Sequence, residues 1–259
     1  MSHVATAVEP NPTQPSIDEV YQGSKLTSSM HNLIARWDHD FEKQLTHRLR
    51  LPRFVGHIES PVLCVGARLG AEVKAFRAAV PGLLSVGTDY NPGTRNPYVM
   101  WGDAHSLQFS PSSLAVLYTN VLDHIRNTST FAREAHRVLR PNGTLWVEMD
   151  QNKPDDYAIH DLQKERLDLV QQLEARRGGA PTLFTVTSEM LLARSSCSDA
   201  ALRDDDRLQQ AFSSSRGFWH FGGVAPLGRA ECVPKWREKD VPKFVYLLRR
   251  VPHPHPHMP

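Results

Sequence analysis

A glycine-rich segment follows the first strongly apolar run of the chain. It reads Gly66-Ala67-Arg68-Leu69-Gly70 and comes directly before a stretch with helical spacing. Glycine lets the backbone take angles that other residues avoid, and it lets a ligand approach the main chain closely. The free N–H groups and the dipole of the following helix would favour a carboxylate or a phosphate. We therefore expect a ligand-binding turn, with an ordinary strand-to-helix turn as the alternative.

Two aspartates follow at the ends of the next two short apolar runs. Asp89 stands 23 residues after Gly66, where an acid can accept hydrogen bonds from the two hydroxyls of a ribose. The alternative is an exposed turn aspartate before Asn91-Pro92-Gly93. Asp103 lies in Gly102-Asp103-Ala104-His105, beside small residues, and could accept the exocyclic amine of an adenine. A plain turn is the alternative there too.

The next apolar run ends at Asn120 and continues into Val121-Leu122-Asp123-His124. We expect this end to face the reacting group of a ligand. His124 could be a base or a polar wall, because its charge changes near neutral pH. Helix capping or packing is an equal alternative for Asp123 and His124.

The elements that must position these residues alternate between strand and helix patterns. Apolar runs indicate strands at 61–65, 83–89, 97–101, 114–120, 144–149 and 244–248, and helical spacing covers 30–45, 70–80, 131–139 and 159–173. This alternation predicts crossover connections and a mostly parallel sheet with helices on both faces. In open sheets of this kind the ligand lies at the carboxyl ends of the strands, which is where the glycine segment and the two aspartates fall.

Composition excludes several other classes of protein. The 259 residues carry a formal net charge of only +2, and no apolar run approaches the length of a membrane helix, so we expect neither a nucleic acid nor a membrane as partner. The first 15 residues lack the basic and apolar parts of a secretory signal. Cys64, Cys197 and Cys232 form neither a disulfide framework nor a zinc pattern. We expect a cytoplasmic protein with no metal site.

Together these segments resemble the class I S-adenosylmethionine-dependent methyltransferases, in particular the type 11 methyltransferase domain. The resemblance covers Val62 to Met149 and rests on five segments in order: Cys64–Gly70, Val86–Asp89, Gly102–Phe109, Ser113–Asn120 and Arg137–Gly143. The last reads RVLRPNG where the family has R-V-L-K-P-G-G. In the first segment the family has an acid and a middle glycine at the positions of Cys64 and Arg68.

The resemblance implies a Rossmann-like three-layer α/β sandwich, whose mostly parallel seven-stranded sheet ends in a C-terminal antiparallel hairpin. It also implies S-adenosyl-L-methionine across the ends of strands one to four and in-line methyl transfer to an acceptor, expected to be a small molecule. Such transfer needs mainly proximity, alignment and a water-poor site. The implied cofactor contacts are Gly66, Ala67, Arg68, Gly70, Asp89, Tyr90, Asp103, Ala104 and Asn120, and the candidate catalytic residue is His124.

The expected organisation is one domain between two tails. We expect a disordered arm at residues 1–27, a single domain at 28–250 and an extended Pro/His tail at 251–259. The histidines of the tail could touch a metal, but a solvated tail is the favoured alternative. Within the domain, the resemblance implies a helical lid at 28–60, a cofactor-binding core at 61–150 and a variable substrate region at 176–235.

Two other functions remain open on sequence alone. A non-catalytic binding or regulatory protein on a degenerate methyltransferase fold is suggested by Cys64, since a protonated thiol cannot replace a carboxylate, and by Arg68. A dinucleotide-dependent oxidoreductase is disfavoured, because Gly66 and Gly70 do not form a Gly-x-Gly-x-x-Gly fingerprint.

Overall fold

The computed structural model describes residues 28–93, 95–150, 158–174, 182–194, 231–233 and 243–252. In these ranges helices and strands alternate along the chain. The helices are α1 (Ser28–Leu49), α2 (Pro52–Val55), α3 (Ala71–Ala79), α4 (Thr128–Val138) and α5 (Leu162–Glu174), with a short 3₁₀ helix at Leu122–His124. The strands are β1 (Val62–Val65), β2 (Ser85–Asp89), β3 (Val99–Trp101), β4 (Leu114–Thr119), β5 (Leu139–Asp150), β6 (Phe184–Arg194), β7 (Glu231–Val233) and β8 (Lys243–Arg250).

The strands form one sheet in the order β3-β2-β1-β4-β5-β8-β6-β7. β8 runs antiparallel to both of its neighbours, whereas every other neighbouring pair is parallel. The predicted α/β fold is therefore confirmed, with β6 and β8 as the C-terminal antiparallel pair. The three-residue strand β7 adds an eighth member beside β6. It lies with β6 in the predicted variable region, so part of that region builds the sheet.

Both faces of the sheet are buried, which explains why the central strands are apolar without alternation. Leu117 and Val147 belong to the core under α4 and α5. Their neighbours Tyr118 and Trp146 belong to the core under α1, α2 and α3, since successive side chains point to opposite faces. Trp146 stacks on Phe54 with ring centroids 5.2 Å apart. This packing fixes the ends of β1 and β4, between which the candidate site lies.

The start of β5 differs from the sequence prediction. Pro141-Asn142-Gly143 predicts a stop before a strand at Thr144, but β5 already begins at Leu139. The pairing with β4 shifts register between Leu114 and Val116, and Asn142 has a φ of +63°. The turn residues are thus accommodated as an irregularity within the strand, where five residues of β5 advance against two of β4, because extra residues can be absorbed without ending the pairing.

The first and last described helices also differ from the ranges that the helical spacing of the sequence predicts. α1 extends to Leu49, beyond the predicted end at residue 45. Ile159, predicted inside the last helix, precedes α5 and is 42% exposed. The side chain of Asp161 accepts a hydrogen bond from the backbone N–H of Gln163 at 3.0 Å, which is the geometry that starts a helix at the following residue.

Several predicted regions lie outside the described residues: the arm at 1–27, most of the variable region, and the tail histidines. In the ranges that the structure does describe, no helix is both long enough and apolar enough to cross a membrane.

Candidate functional site

The turns that follow β1, β2, β3 and β4 surround an open pocket at the carboxyl edge of the sheet. The empty space between these turns, together with the open solvent at its mouth, is about 780 Å³. Seven of the residues predicted from sequence line it: Gly66, Arg68, Asp89, Tyr90, Asp103, Ala104 and His124. Segments that are up to 58 residues apart in the chain therefore meet in one cavity, as expected for strand ends in a parallel sheet.

At Gly66 the glycine segment lies close against Val121 of the loop after β4. Its φ is +79°, and a Cβ built on it would lie 2.3 Å from Cγ2 of Val121. The backbone N–H of Gly66 donates to the carbonyl of Thr88 at 2.8 Å. Position 66 thus requires glycine for two reasons. Its backbone is left-handed, and Val121 fills the space that a Cβ would occupy.

We expect Gly66→Ala to cost about 1–3 kcal/mol more folding free energy than Gly93→Ala. Gly93 has a similar φ of +75°, but a Cβ there would meet nothing within 4 Å. Both variants carry the strain of a left-handed alanine, so the difference between their urea unfolding curves isolates the collision with Val121. Equal free energies of unfolding for the two variants would contradict this account of the turn.

Asp89 ends β2 and is only 8% exposed, so the structure contradicts the alternative of an exposed turn aspartate. Its carboxylate accepts a hydrogen bond from the backbone N–H of Arg68 at 2.9 Å and one from that of Asn91 at 2.8 Å. An ionised carboxylate offers about four acceptor positions. Asp89 therefore shapes the glycine segment and still has acceptor capacity for a ligand.

Asp103 forms a polar wall together with His105, a pocket residue that the sequence analysis did not single out. Oδ1 of Asp103 accepts from both the backbone N–H and the ring Nδ1 of His105, each at 2.8 Å. The ring Nε2 accepts the backbone N–H of Asn127 at 3.1 Å. This arrangement assigns the neutral tautomer with its proton on Nδ1. Asp103 is therefore both a turn residue and a pocket residue.

The structure does not place three of the predicted contacts on the pocket wall. Ala67 is buried, and its Cβ lies against the backbone of Gly87. Gly70 begins α3 at a φ of +93°, where a Cβ would approach that of Tyr98 to 2.7 Å. Asn120 follows β4, and its buried Oδ1 has no hydrogen-bond partner among the described residues. Ala67 and Gly70 support the shape of the turn through packing and backbone conformation.

His124 lies in the 3₁₀ helix after β4 and faces the pocket. Its Nε2 is 3.7 Å from Oδ2 of Asp123, too far for a hydrogen bond but close enough for an ionic attraction when the ring is protonated. His124 therefore lines the pocket beside the carboxylate of Asp123.

Two acids that sequence reasoning missed, the partly buried Asp38 and the buried Glu72, lie near the glycine segment. Burial raises the pKa of Asp38 on α1, and it raises that of Glu72 on α3 to about 8. The positive charge of Arg68 opposes both increases. The acid position of the family motif is held by Cys64, which is fully buried in the core and whose thiol pKa is raised by burial. Position 64 therefore carries no negative charge in this chain.

Comparison with known proteins agrees with this architecture. Residues 63–147 match the family model described as "Methyltransferase domain". The sequence matches none of the curated proteins with which it was compared.

Several solved structures share the fold. A SAM-dependent methyltransferase of Thermotoga maritima superposes with a TM-score of 0.51 at 13% identity, covering 86% of this chain and 97% of its own. A methyltransferase solved in complex with the Haloferax volcanii Trm112 methyltransferase activator superposes with a TM-score of 0.50 at 13% identity. The superposition covers 93% of this chain and 99% of the other. The [4+2]-cyclase SpnF superposes with a TM-score of 0.54 at 15% identity, covering 92% of this chain and 98% of its own. This chain is therefore similar to methyltransferase domains over residues 63–147, and it shares the α/β fold of these solved structures.

Proposed function

We propose that this protein transfers a methyl group from S-adenosyl-L-methionine to a small-molecule acceptor. The observation that carries the proposal is the convergence of Gly66, Asp89 and Asp103 from three successive strand ends on one pocket. An aspartate with spare acceptor capacity, a second aspartate and a close-approach glycine match the three polar parts of an adenosyl cofactor. The residues present therefore fit the group that the family uses.

Each of these residues has a distinct role in binding. Asp89 accepts hydrogen bonds from the ribose hydroxyls, and Asp103 accepts the exocyclic amine of the adenine. Gly66 allows the methionine half to lie against the main chain, where Arg68 supplies a cation for its carboxylate. Tyr90 adds an aromatic wall to the adenosine part of the pocket. All five line the same cavity.

The bound cofactor supplies an electrophilic methyl group on a sulfonium, so the chain needs no group that activates it. The chain's own contribution is to align the acceptor and to exclude water, which can lower a barrier by several kcal/mol. His124, at the end of β4, is the candidate to take the proton that an N–H or O–H acceptor releases.

The fold alone does not fix the reaction, because one of the similar structures is a [4+2]-cyclase. A test must therefore measure cofactor binding and methyl transfer separately. Transfer of a labelled methyl group to a panel of small amines, alcohols and thiols would support the proposal. Cofactor binding without transfer to any acceptor would favour the alternative of a non-catalytic protein, and no binding at all would overturn the proposal.

Asp89→Ala should weaken the binding of S-adenosylmethionine by about 1–3 kcal/mol, because the ribose hydroxyls lose a buried partner. Isothermal titration calorimetry measures this loss directly. Asp168→Ala, which removes an exposed carboxylate on α5, should leave the affinity unchanged. If Asp89→Ala bound the cofactor as tightly as the unmodified protein does, the ribose would have to lie elsewhere.

A further inference from the structure

The segment 121–125, which includes the 3₁₀ helix, forms one wall of the pocket. Val121, His124 and Ile125 of this segment line the cavity. Within it, the backbone N–H of His124 donates to the carbonyl of Val121 at 3.0 Å. A single 3₁₀ turn has poorer hydrogen-bond geometry than an α-helix, so the position of this wall depends on contacts from neighbouring elements.

The loop that precedes α5 makes two backbone contacts with this wall. The carbonyl of Asp123 accepts the N–H of Ile159 at 2.8 Å and that of His160 at 3.1 Å. Backbone hydrogen bonds of this kind can form with any side chain at position 160, because every residue except proline carries the donor. A specific contribution of His160 must therefore come from its ring.

The ring of His160 lies between the wall and the start of α5. Its Nε2 is 3.1 Å from the carbonyl oxygen of Ile125, and its Nδ1 is 3.0 Å from Oε2 of Glu165. A carbonyl oxygen can only accept, so this contact assigns a proton to Nε2. Ile125 is buried, whereas the Glu165 side chain is 44% exposed. The contact with Ile125 is therefore the better shielded from water of the two.

We propose that His160 is a positioning residue for the pocket: by donating from Nε2 to the carbonyl of Ile125, it holds the wall that carries His124 against the bound cofactor. This inference rests on the proposed function. His160 is not among the described residues that line the cavity, so it acts through the wall and touches no ligand. The competing explanation is that the ring only stabilises the start of α5 through Glu165.

Asparagine and glutamine at position 160 separate the two contacts of the ring. The amide nitrogen of asparagine stands where Nδ1 does, and that of glutamine reaches about as far as Nε2. His160→Gln therefore keeps a donor for Ile125, whereas His160→Asn keeps a donor only for Glu165. In isothermal titration calorimetry, S-adenosylhomocysteine should bind His160→Asn about fivefold more weakly than the unmodified protein, as one lost hydrogen bond predicts. Its affinity for His160→Gln should stay within about twofold.

Amide hydrogen exchange measures the wall itself without any ligand. The N–H of Ile159 donates to Asp123 on the wall, so its exchange reports whether the loop and the wall stay together. Exchange should be about fivefold faster in His160→Asn and close to the original rate in His160→Gln. Lys164→Ala is the control, because it removes an ion pair with Asp161 in the same turn and should change neither exchange nor affinity.

The pattern across the two variants decides between the explanations. Full affinity and slow exchange in His160→Asn, or equal losses in His160→Asn and His160→Gln, would overturn the positioning role. Failure of S-adenosylhomocysteine to bind the unmodified protein would instead overturn the proposed function. The exchange rates would in that case still show whether His160 holds the wall.

Discussion

Glu148→Ala should lower the free energy of unfolding by about 3–5 kcal/mol, the cost of leaving one partner of a buried ion pair alone. Glu148 on β5 accepts a hydrogen bond from Nη2 of Arg48 on α1 at 2.8 Å, and the two side chains are only 1% and 3% exposed. The loss of Glu148 would leave the Arg48 guanidinium buried between α1 and the sheet without its ion-pair partner. Urea unfolding followed by circular dichroism measures the change.

The same pair should tolerate a double apolar replacement better than either single loss. Within the part of the chain that the structure describes, Nε of Arg48 and Oε1 of Glu148 have no hydrogen-bond partner, so these contacts compensate the burial of the pair only in part. Arg48→Met combined with Glu148→Leu should therefore be less destabilising than Glu148→Ala. Lys164→Ala, which removes the exposed partner of Asp161, should leave the unfolding midpoint where it is. A double variant as unstable as the sum of the single ones would contradict this interpretation.

Glu72→Gln should make the protein more stable at pH 9 while leaving its stability at pH 4 nearly unchanged. Glu72 is 7% exposed, and burial raises its pKa to about 8, far above the range of an unfolded chain. Between about pH 5 and pH 8 the folded protein keeps this proton while the unfolded chain has released it. The free energy of unfolding therefore falls as the pH rises, by up to about 1.4 kcal/mol per pH unit. Glutamine carries no such proton, so its advantage should reach several kcal/mol at pH 9.

Urea unfolding at several pH values measures this difference directly. Taking the difference between the variant and the unmodified protein cancels the titration of most other groups, although Asp38 is coupled to Glu72. Glu165→Gln is the control, since its hydrogen bonds lower the pKa of that half-exposed carboxyl and give the opposite sign. A difference between Glu72→Gln and the unmodified protein that did not change between pH 5 and pH 9 would show that the carboxyl is not buried in solution.

Most of the sheet could be predicted from sequence because it depends on local patterns. Short apolar runs separated by helical spacing allow few topologies, and crossover connections make most of the strands parallel. The ends of β1, β2 and β4 then had to lie at one edge. Local patterns predicted element boundaries least well in two places. At the irregular start of β5 beside Leu114, the pairing of the strands sets the boundary. At the start of α5, the side chain of Asp161 caps the helix after Ile159.

The sequence by itself determined the α/β fold and the polar residues that follow its strands, because the glycines and short polar side chains that form turns directly follow each apolar run in the chain. Only the tertiary structure decided which of those residues share a pocket, and that Ala67 and Gly70 support the turn through packing and backbone conformation instead. It also paired Arg48 on α1 with Glu148 on β5 and joined His105 to Asn127. Such contacts depend on how helices pack across the sheet, and packing couples residues whose separation along the chain shows no periodicity.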